Sequence, residues 1–229
     1  MKESILSHEY ENGLVLVAEP MLSLESAAFT CLLPAGCALD PEKRGGLAAF
    51  TCEMALRGAG DRDSRRFIQD LENLGVERGE SVSASHTSFS GATLSKNLAP
   101  ALEIFADLVR RPRLPEDQVE AARSVVMQEL HAIEDEPGQK VMQELRRRHY
   151  PHPWGRPSQG DMAALEAITL DDIRNYFGRT YRPNGTIIGV AGRFEWEKLK
   201  DQVGAVLADW KPLKPINVSS HLFGSSTLN

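Results

Sequence analysis

The sequence has few cysteines and no long apolar run, and each absence excludes classes of protein. Its three cysteines form neither a Cys-x-x-Cys pair nor an even set, which argues against a disulfide framework and favours reduced thiols. No stretch of about 18 apolar residues is present, as a membrane-spanning helix would require. The opening residues show no apolar segment followed by a small-residue cleavage site, so we expect no secretory signal and a cytoplasmic location.

Basic residues are in the minority. Lys and Arg number 26 against 32 Asp and Glu, and the formal net charge of −6 argues against a partner that is a nucleic acid or an anionic membrane. The sequence also lacks the Gly-x-Ser-x-Gly turn of serine hydrolases and the glycine-rich loops that bind phosphates. With 229 residues, 41% of them hydrophobic, the chain can still bury a full core.

The order of apolar patterns predicts an α+β fold. Strands are predicted at 14–17, 27–33, within a Ser/Thr-rich pair at 79–94, and at 186–191. Helices are predicted at 46–56, 65–74, 99–109, between Pro115 and Pro137, at 138–149, 161–168 and 171–179, and near the end of the chain. We therefore predict a single domain over 1–211, followed by a linker or disordered tail at 212–229.

Five segments, taken in order, carry a family resemblance. They are GLAAFTCEMALRG at 46–58, LENLG at 71–75, SVVMQEL at 124–130 with an Asp-Glu-Pro turn after it, HYPHPWGRP at 149–157, and ITLDDI at 168–173 running on to YRPN and VAG. Together they resemble the M16 metallopeptidases over about residues 9–211. The resemblance implies the LuxS/MPP-like metallohydrolase fold, an antiparallel-rich mixed sheet packed against helices.

The resemblance also implies a zinc site, and here the sequence departs from the family. The inverted motif His-x-x-Glu-His places two zinc ligands and a general base on one face of a helix. The matching positions are Ala49, Cys52 and Glu53, and only Glu129 keeps the residue type of the distant third ligand. An acidic position seven residues earlier reads Ala122. We therefore expect no catalytic residue, no metal and no other cofactor at these positions.

Two interpretations of Glu129 stay open. It is either a former zinc ligand or a carboxylate at the rim of an apolar helix stripe with its head group in water. If Glu53 faces Glu129, Arg57 at i+4 from Glu53 is the nearest counter-ion. Cys52 is either a small buried residue or, with Glu53, Glu129 and Cys37, part of a substitute metal site.

The segment at 75–82 matches the strand on which peptides add to the M16 sheet by β-augmentation. The family's Gly-Gly-x-x-Asn-Ala-x-Thr pattern is lost there, although the backbone can still pair with an extended peptide. The predicted substrate-binding residues are Gly79, Glu80, Ser81 and Val82.

In the shorter bacterial branch of the family, two similar halves close around a peptide. One half supplies zinc, and the other supplies an Arg and a Tyr for the substrate carbonyl. The resemblance therefore implies a catalytically silent half or subunit that forms a peptide chamber with a zinc-bearing M16 subunit or a second M16-type half, or that self-associates. The alternatives are an active zinc metallopeptidase with altered ligands and a non-enzymatic peptide-binding or scaffold module.

Overall fold

The computed structural model describes residues 5–214, without the side chain of Glu134. Within that range the strands are β1 Leu6–Glu9, β2 Val15–Pro20, β3 Ser26–Leu33, β4 Gly58–Ala59, β5 Arg62–Asp63, β6 Glu77–Val82, β7 Thr87–Leu94 and β8 Ile187–Gly192. The helices are α1 Leu47–Ala55, α2 Ser64–Asn73, α3 Leu98–Arg110, α4 Val119–Glu134, α5 Pro137–His149, α6 Met162–Ala167, α7 Leu170–Thr180 and α8 Trp196–Leu207. The tail predicted at 212–229 lies outside the described residues beyond Lys214, and the boundary at 211 stays a prediction.

Six strands form one sheet in the order β1-β2-β8-β3-β7-β6. The pair β2–β8 is parallel, whereas the other neighbouring pairs are antiparallel. The prediction of a single α+β domain with an antiparallel-rich mixed sheet is therefore confirmed. Because β8 lies between β2 and β3, the centre of the sheet forms only when this late strand pairs with two early ones.

One face of the sheet carries the core. Along β3 the side chains alternate, and Ala27, Phe29, Cys31 and Leu33 are buried on the same side. Phe29 meets Phe105 of α3 edge-on, with 4.7 Å between ring centroids, a preferred geometry for aromatic pairs. Helices α3 and α8 pack together at this face. The helices thus gather on the side that carries the large buried side chains of β3, whereas the opposite side carries smaller ones such as Ala28 and Thr30.

The opposite face of the sheet stays open in the described part of the chain. Its central side chains are small or aliphatic and are half-buried or exposed: Val17, Ala28, Thr30, Gly189 and Ala191. A shallow depression of about 390 Å³ lies over them. No helix between residues 5 and 214 is long and apolar enough to cross a membrane.

Most predicted elements are present within one or two residues of their predicted bounds. The sequence analysis missed β1, a short edge strand, and the two-residue ladder of β4 with β5, because neither has an apolar pattern of its own. All three cysteines are free and buried, and the cytoplasmic location stays a prediction.

Candidate functional site

Helix α1 is anchored at its start by a buried carboxyl group. Asp40 is 5% exposed and accepts hydrogen bonds from the backbone N–H groups of Gly46 and Ala48, each at 2.9 Å. A helix leaves such N–H groups unpaired at its first turn, so Asp40 acts as a cap. Burial raises the pKa of Asp40 to about 7, although these hydrogen bonds and the charge of Arg156 oppose the shift.

The backbone just before α1 also fixes the position of the helix. Gly46 has a φ of 90°, in the left-handed region that favours glycine. A Cβ at this position would lie 2.6 Å from the carbonyl oxygen of Gln159. The start of α1 therefore packs directly on the segment that precedes α6, and a larger residue at 46 would move the helix.

The side of α1 that faces β6 carries the predicted site positions. Ala49, Cys52 and Glu53 share one side because they are spaced i, i+3 and i+4. Ala49 offers no ligand atom, and Cys52 is 4% exposed. Glu53 is paired with the expected counter-ion, since Nε of Arg57 donates to Oε1 of Glu53 at 2.9 Å.

Two further carboxylates come to this side of α1, one from α4 and one from β6. Burial, followed by the negative charges of Glu80, Glu53 and Glu129, raises the pKa of the Cys52 thiol well above its usual value. The pKa of Glu129 is also raised, by desolvation first and then by Glu53 and Glu80. Glu129 nevertheless stays exposed at the rim of the α4 stripe. Glu129 thus faces the site while its head group reaches water, and its interpretation as a former zinc ligand stays a prediction.

Strand β6 forms the free edge of the sheet beside this site. It pairs with β7 alone among the described strands, so its outer backbone groups have no partner strand. Glu80 lies opposite the buried Phe89, which places it on the side of the helices, whereas Gly79 and Ser81 lie on the open face. Arg78 shares the side of Glu80 and pairs with it at 3.2 Å.

The sequence analysis did not assign Arg78, nor did it orient Glu80 toward α1. The signal was available in principle, because residues two apart on a strand share a face. The alternation of side chains along β6 did not reveal which of its two faces meets the helices, because both faces are polar and exposed.

A groove of about 740 Å³ begins where β6 ends. Its walls are the β6–β7 turn from Val82 to Ser85, the end of α4 at Ile133, the inner side of α5, and the segment 150–159. The segment 150–159 follows directly on α5, whose last hydrogen bond runs from the N–H of Tyr150 to the carbonyl of Arg146 at 2.9 Å.

Cys37 and two histidines near the end of α5 do not form a shared centre with the α1 residues. Cys37 is buried; its Sγ donates to the carbonyl of Arg156 at 3.7 Å, and burial beside Asp40 raises its pKa to about 12. His149 and His152 are exposed, and His152 contacts the guanidinium of Arg156. In the part of the chain that the structure describes, no three His, Cys, Asp or Glu side chains are grouped so that they could hold a metal ion.

Comparison with known families matches residues 21–158 to the model described as Insulinase (Peptidase family M16). This match covers more than half of the chain. The chain belongs to the M16 peptidase family.

Curated M16 relatives are distant and longer. The chain is 25% identical over 193 residues to a probable mitochondrial-processing peptidase subunit beta of Arabidopsis thaliana, covering 84% of this chain and 36% of that protein. It is 21% identical over 232 residues to an uncharacterized zinc protease of Rickettsia felis, covering 100% of this chain and 56% of the relative. The chain therefore spans about a third to a little over half of the relatives it matches.

Solved structures give the same fold. An inactive peptidase M16 domain from Pseudomonas fluorescens superposes with a TM-score of 0.82 at 22% identity, over 93% of this chain and 53% of that one. A protease from Helicobacter pylori superposes with a TM-score of 0.85 at 21% identity, over 94% of this chain and 52% of that one. At these identities the likeness establishes the fold alone.

The residues at the M16 ligand positions do not fit zinc. Ala49 has no donor atom, Cys52 is buried, and the carboxylate of Glu53 is engaged by Arg57. Zinc in proteins takes three or four Cys, His, Asp or Glu ligands in tetrahedral arrangement, and between residues 5 and 214 no described group of three such side chains, with or without Glu129, could hold it. We therefore derive no reaction step through a metal at this site.

Proposed function

We propose that this chain is a non-catalytic half of an M16 peptidase assembly, which holds an extended peptide and leaves the chemistry to a zinc-bearing half. The observation that carries the proposal is the free edge of β6 directly beside the ligand-poor side of α1. An extended peptide can add to such an edge through backbone hydrogen bonds, whatever the side chains of the strand. Gly79, Glu80, Ser81 and Val82 would form the strand that receives it.

The open face of the sheet supports the assembly part of the proposal. Monomeric proteins rarely leave a broad apolar sheet face uncovered, and a partner that buries it gains the free energy of that area. Val17, Ala28 and Gly189 lie at its centre without a covering helix between residues 5 and 214. A second M16-type half, or a second copy of this chain, would bury this face across an interface of more than about 1,000 Å².

Peptide addition to β6 can be tested with backbone-modified peptides. Alternate backbone amides of a strand point toward its neighbour, so only one parity of peptide N–H groups can pair with β6. We expect N-methylation of one parity to weaken binding by at least about tenfold and N-methylation of the other parity to change it little, as measured by fluorescence anisotropy. Equal effects of both parities would show that the peptide does not bind as a strand.

The assembly can be tested by co-expression with an M16 subunit that carries His-x-x-Glu-His and comes from the same genome. We expect a joint peak in size exclusion, zinc in the complex but not in this chain alone, and peptide cleavage by the complex. Ala28→Arg should abolish the joint peak, because Ala28 is exposed on the open face, whereas the matched change Ala205→Arg on the outer side of α8 should not. Zinc-dependent cleavage by this chain alone would overturn the non-catalytic role. A strictly monomeric chain that still binds peptides would favour the binding-module alternative.

A further inference from the structure

We propose that the groove at the end of β6 binds the side chain of an acidic residue in the bound peptide, through the guanidinium of Arg146 with the indole N–H of Trp154 as a second donor. The inference rests on the proposed function, because the groove starts at Val82, the last residue of the strand that would receive the peptide. A peptide paired with β6 and extended past Val82 would reach the groove.

The groove is large enough for more than one side chain. Its volume of about 740 Å³ lies within the range of about 300–1,000 Å³ that is typical of ligand pockets. Its walls are partly apolar, formed by Ile133, Met142 and the rings of Tyr150 and Trp154. Met142 and Tyr150 are about half exposed, which is unusual for large apolar side chains. A ligand that covers them would remove this apolar surface from water.

Arg146 is distinguished from the two arginines that follow it. Arg147 and Arg148 both pair with Glu144, at 2.9 and 2.6 Å, and neither lines the groove. Arg146 lines the groove, and none of the carboxylates that the structure describes pairs with it. Its charge is therefore available to a ligand. A guanidinium presents several N–H donors in a plane and suits a carboxylate better than any neutral acceptor.

Trp154 supplies the second donor. Its Nε1 is buried and has no hydrogen-bond partner among the described residues. A buried indole N–H normally has a partner, and one without it is stabilised by any acceptor brought within reach. Because the nitrogen is buried although Trp154 lines the groove, a ligand reaches it after a side-chain rotation of the kind that is common when interfaces form.

The charge of the groove differs from that of the chain. The chain has a formal net charge of −6, yet the charged side chains that line the groove in the described structure are Arg146 and Arg156, without an acidic one. The charge of Arg156 is partly compensated by Asp40. Its guanidinium donates a hydrogen bond to the backbone carbonyl of Asp40, and its charge lowers the pKa of the Asp40 carboxyl, against the effect of burial. The uncompensated charge is that of Arg146. This local reversal of sign favours a negatively charged occupant.

The test is a positional scan with short labelled peptides that are amidated at the C-terminus and carry one Glu moved along a neutral strand-forming host. Each is compared with the same peptide bearing Gln, by anisotropy on the full chain. We expect one position at which Glu binds about fivefold tighter than Gln, the effect of a partly exposed charge-assisted hydrogen bond. Arg146→Gln should abolish this preference, and Trp154→Phe, which keeps the ring and removes the N–H, should lower it about twofold.

Arg148→Gln is the matched control, because it removes the same charge from the same helix outside the groove, and it should keep the preference. If Glu and Gln peptides bind equally at every position, the acidic preference is wrong while peptide binding stands. If the preference survives Arg146→Gln, the assignment to Arg146 is wrong. If a peptide with a free C-terminal carboxylate and no Glu reproduces the effect, the groove binds chain ends and the side-chain assignment is overturned. If no peptide binds at all, the proposed function fails together with this inference.

Discussion

Carboxyl groups lie against helix α1 in two regions, and the two regions differ in what surrounds these groups. At its start, Asp40 is buried and accepts two backbone N–H groups. At its β6-facing side, Glu53, Glu80 and Glu129 gather around the buried Cys52, and Glu129 stays exposed. The first region positions the helix, and the second holds the positions at which the family resemblance predicts zinc ligands. The difference shows that one region fixes the helix through a buried cap, whereas the other surrounds a buried thiol with carboxylates.

The largest expected effect comes from restoring the donors without touching the scaffold. The triple variant Ala49→His, Cys52→Glu and Glu53→His would place two imidazoles at i and i+4 on α1 opposite Glu129. We expect its zinc affinity to exceed that of the parent chain by at least about a thousandfold in calorimetry, equal to about 4 kcal/mol.

The control for this variant is the same triple change combined with Glu129→Gln, which should lose most of the gained affinity because the third ligand is removed. A triple variant that is folded and binds no zinc would show that the ligand positions assigned along α1 are wrong.

The scaffold region should respond to pH through Asp40. The folded-state pKa is about 7 and the usual value is 3.8, so between these values the folded protein holds a proton that the unfolded chain releases. Stability contributed by Asp40 is therefore full below pH 3.8 and is lost as the pH rises through 7. About three pKa units at about 1.4 kcal/mol per unit set an upper bound of about 4 kcal/mol.

Urea unfolding of the parent chain and of Asp40→Asn across this pH range measures the effect. The free energy of unfolding of the parent chain should fall relative to that of the variant as the pH rises from 4 to 8. A difference between the two proteins that does not change with pH would contradict a raised pKa for Asp40.

Removing the cap altogether should destabilise the domain at pH 5, where Asp40 is still protonated in the folded state. We expect Asp40→Ala to lower the free energy of unfolding by about 2 kcal/mol, because two buried N–H groups of α1 lose their acceptor. Asp63→Ala removes the exposed cap of α2, which accepts from the N–H of Arg66 at 2.8 Å, and should cost about 1 kcal/mol. An equal or larger loss in Asp63→Ala would show that burial adds nothing to the Asp40 cap.

The smallest change in stability is expected from the replacement of Glu129. Glu129→Gln removes a carboxylate whose pKa is raised by desolvation and by Glu53 and Glu80, so it should stabilise the domain above that pKa and leave it unchanged in acid. Since Glu129 is exposed, the gain should be less than about 0.5 kcal/mol. Glu120→Gln on the same helix removes a partner of Arg123 and should give no gain. A loss of stability in Glu129→Gln would mean that this carboxylate has a favourable partner.

Several features followed from local sequence alone. The bounds of α1, the pair β6–β7 and the spacing of Ala49, Cys52 and Glu53 on one side of a helix all depend on residues close in the chain. The i+4 pairing of Glu53 with Arg57 was also predictable, because helix geometry brings such residues together. The order of motifs then gave the family, since five segments in sequence constrain the fold more than any one of them does.

Other features depended on contacts between distant segments. The place of β8 between β2 and β3, the capping of α1 by Asp40, the approach of Glu80 to Cys52, and the groove between the end of β6 and α5 join residues that no local pattern connects. The reason is physical: periodicity reports which side of an element is apolar, whereas the neighbour that meets that side is chosen by packing of the whole sheet and its helices. The sequence therefore determined which residue types stand at Ala49, Cys52 and Glu53, and the tertiary structure decided what surrounds them.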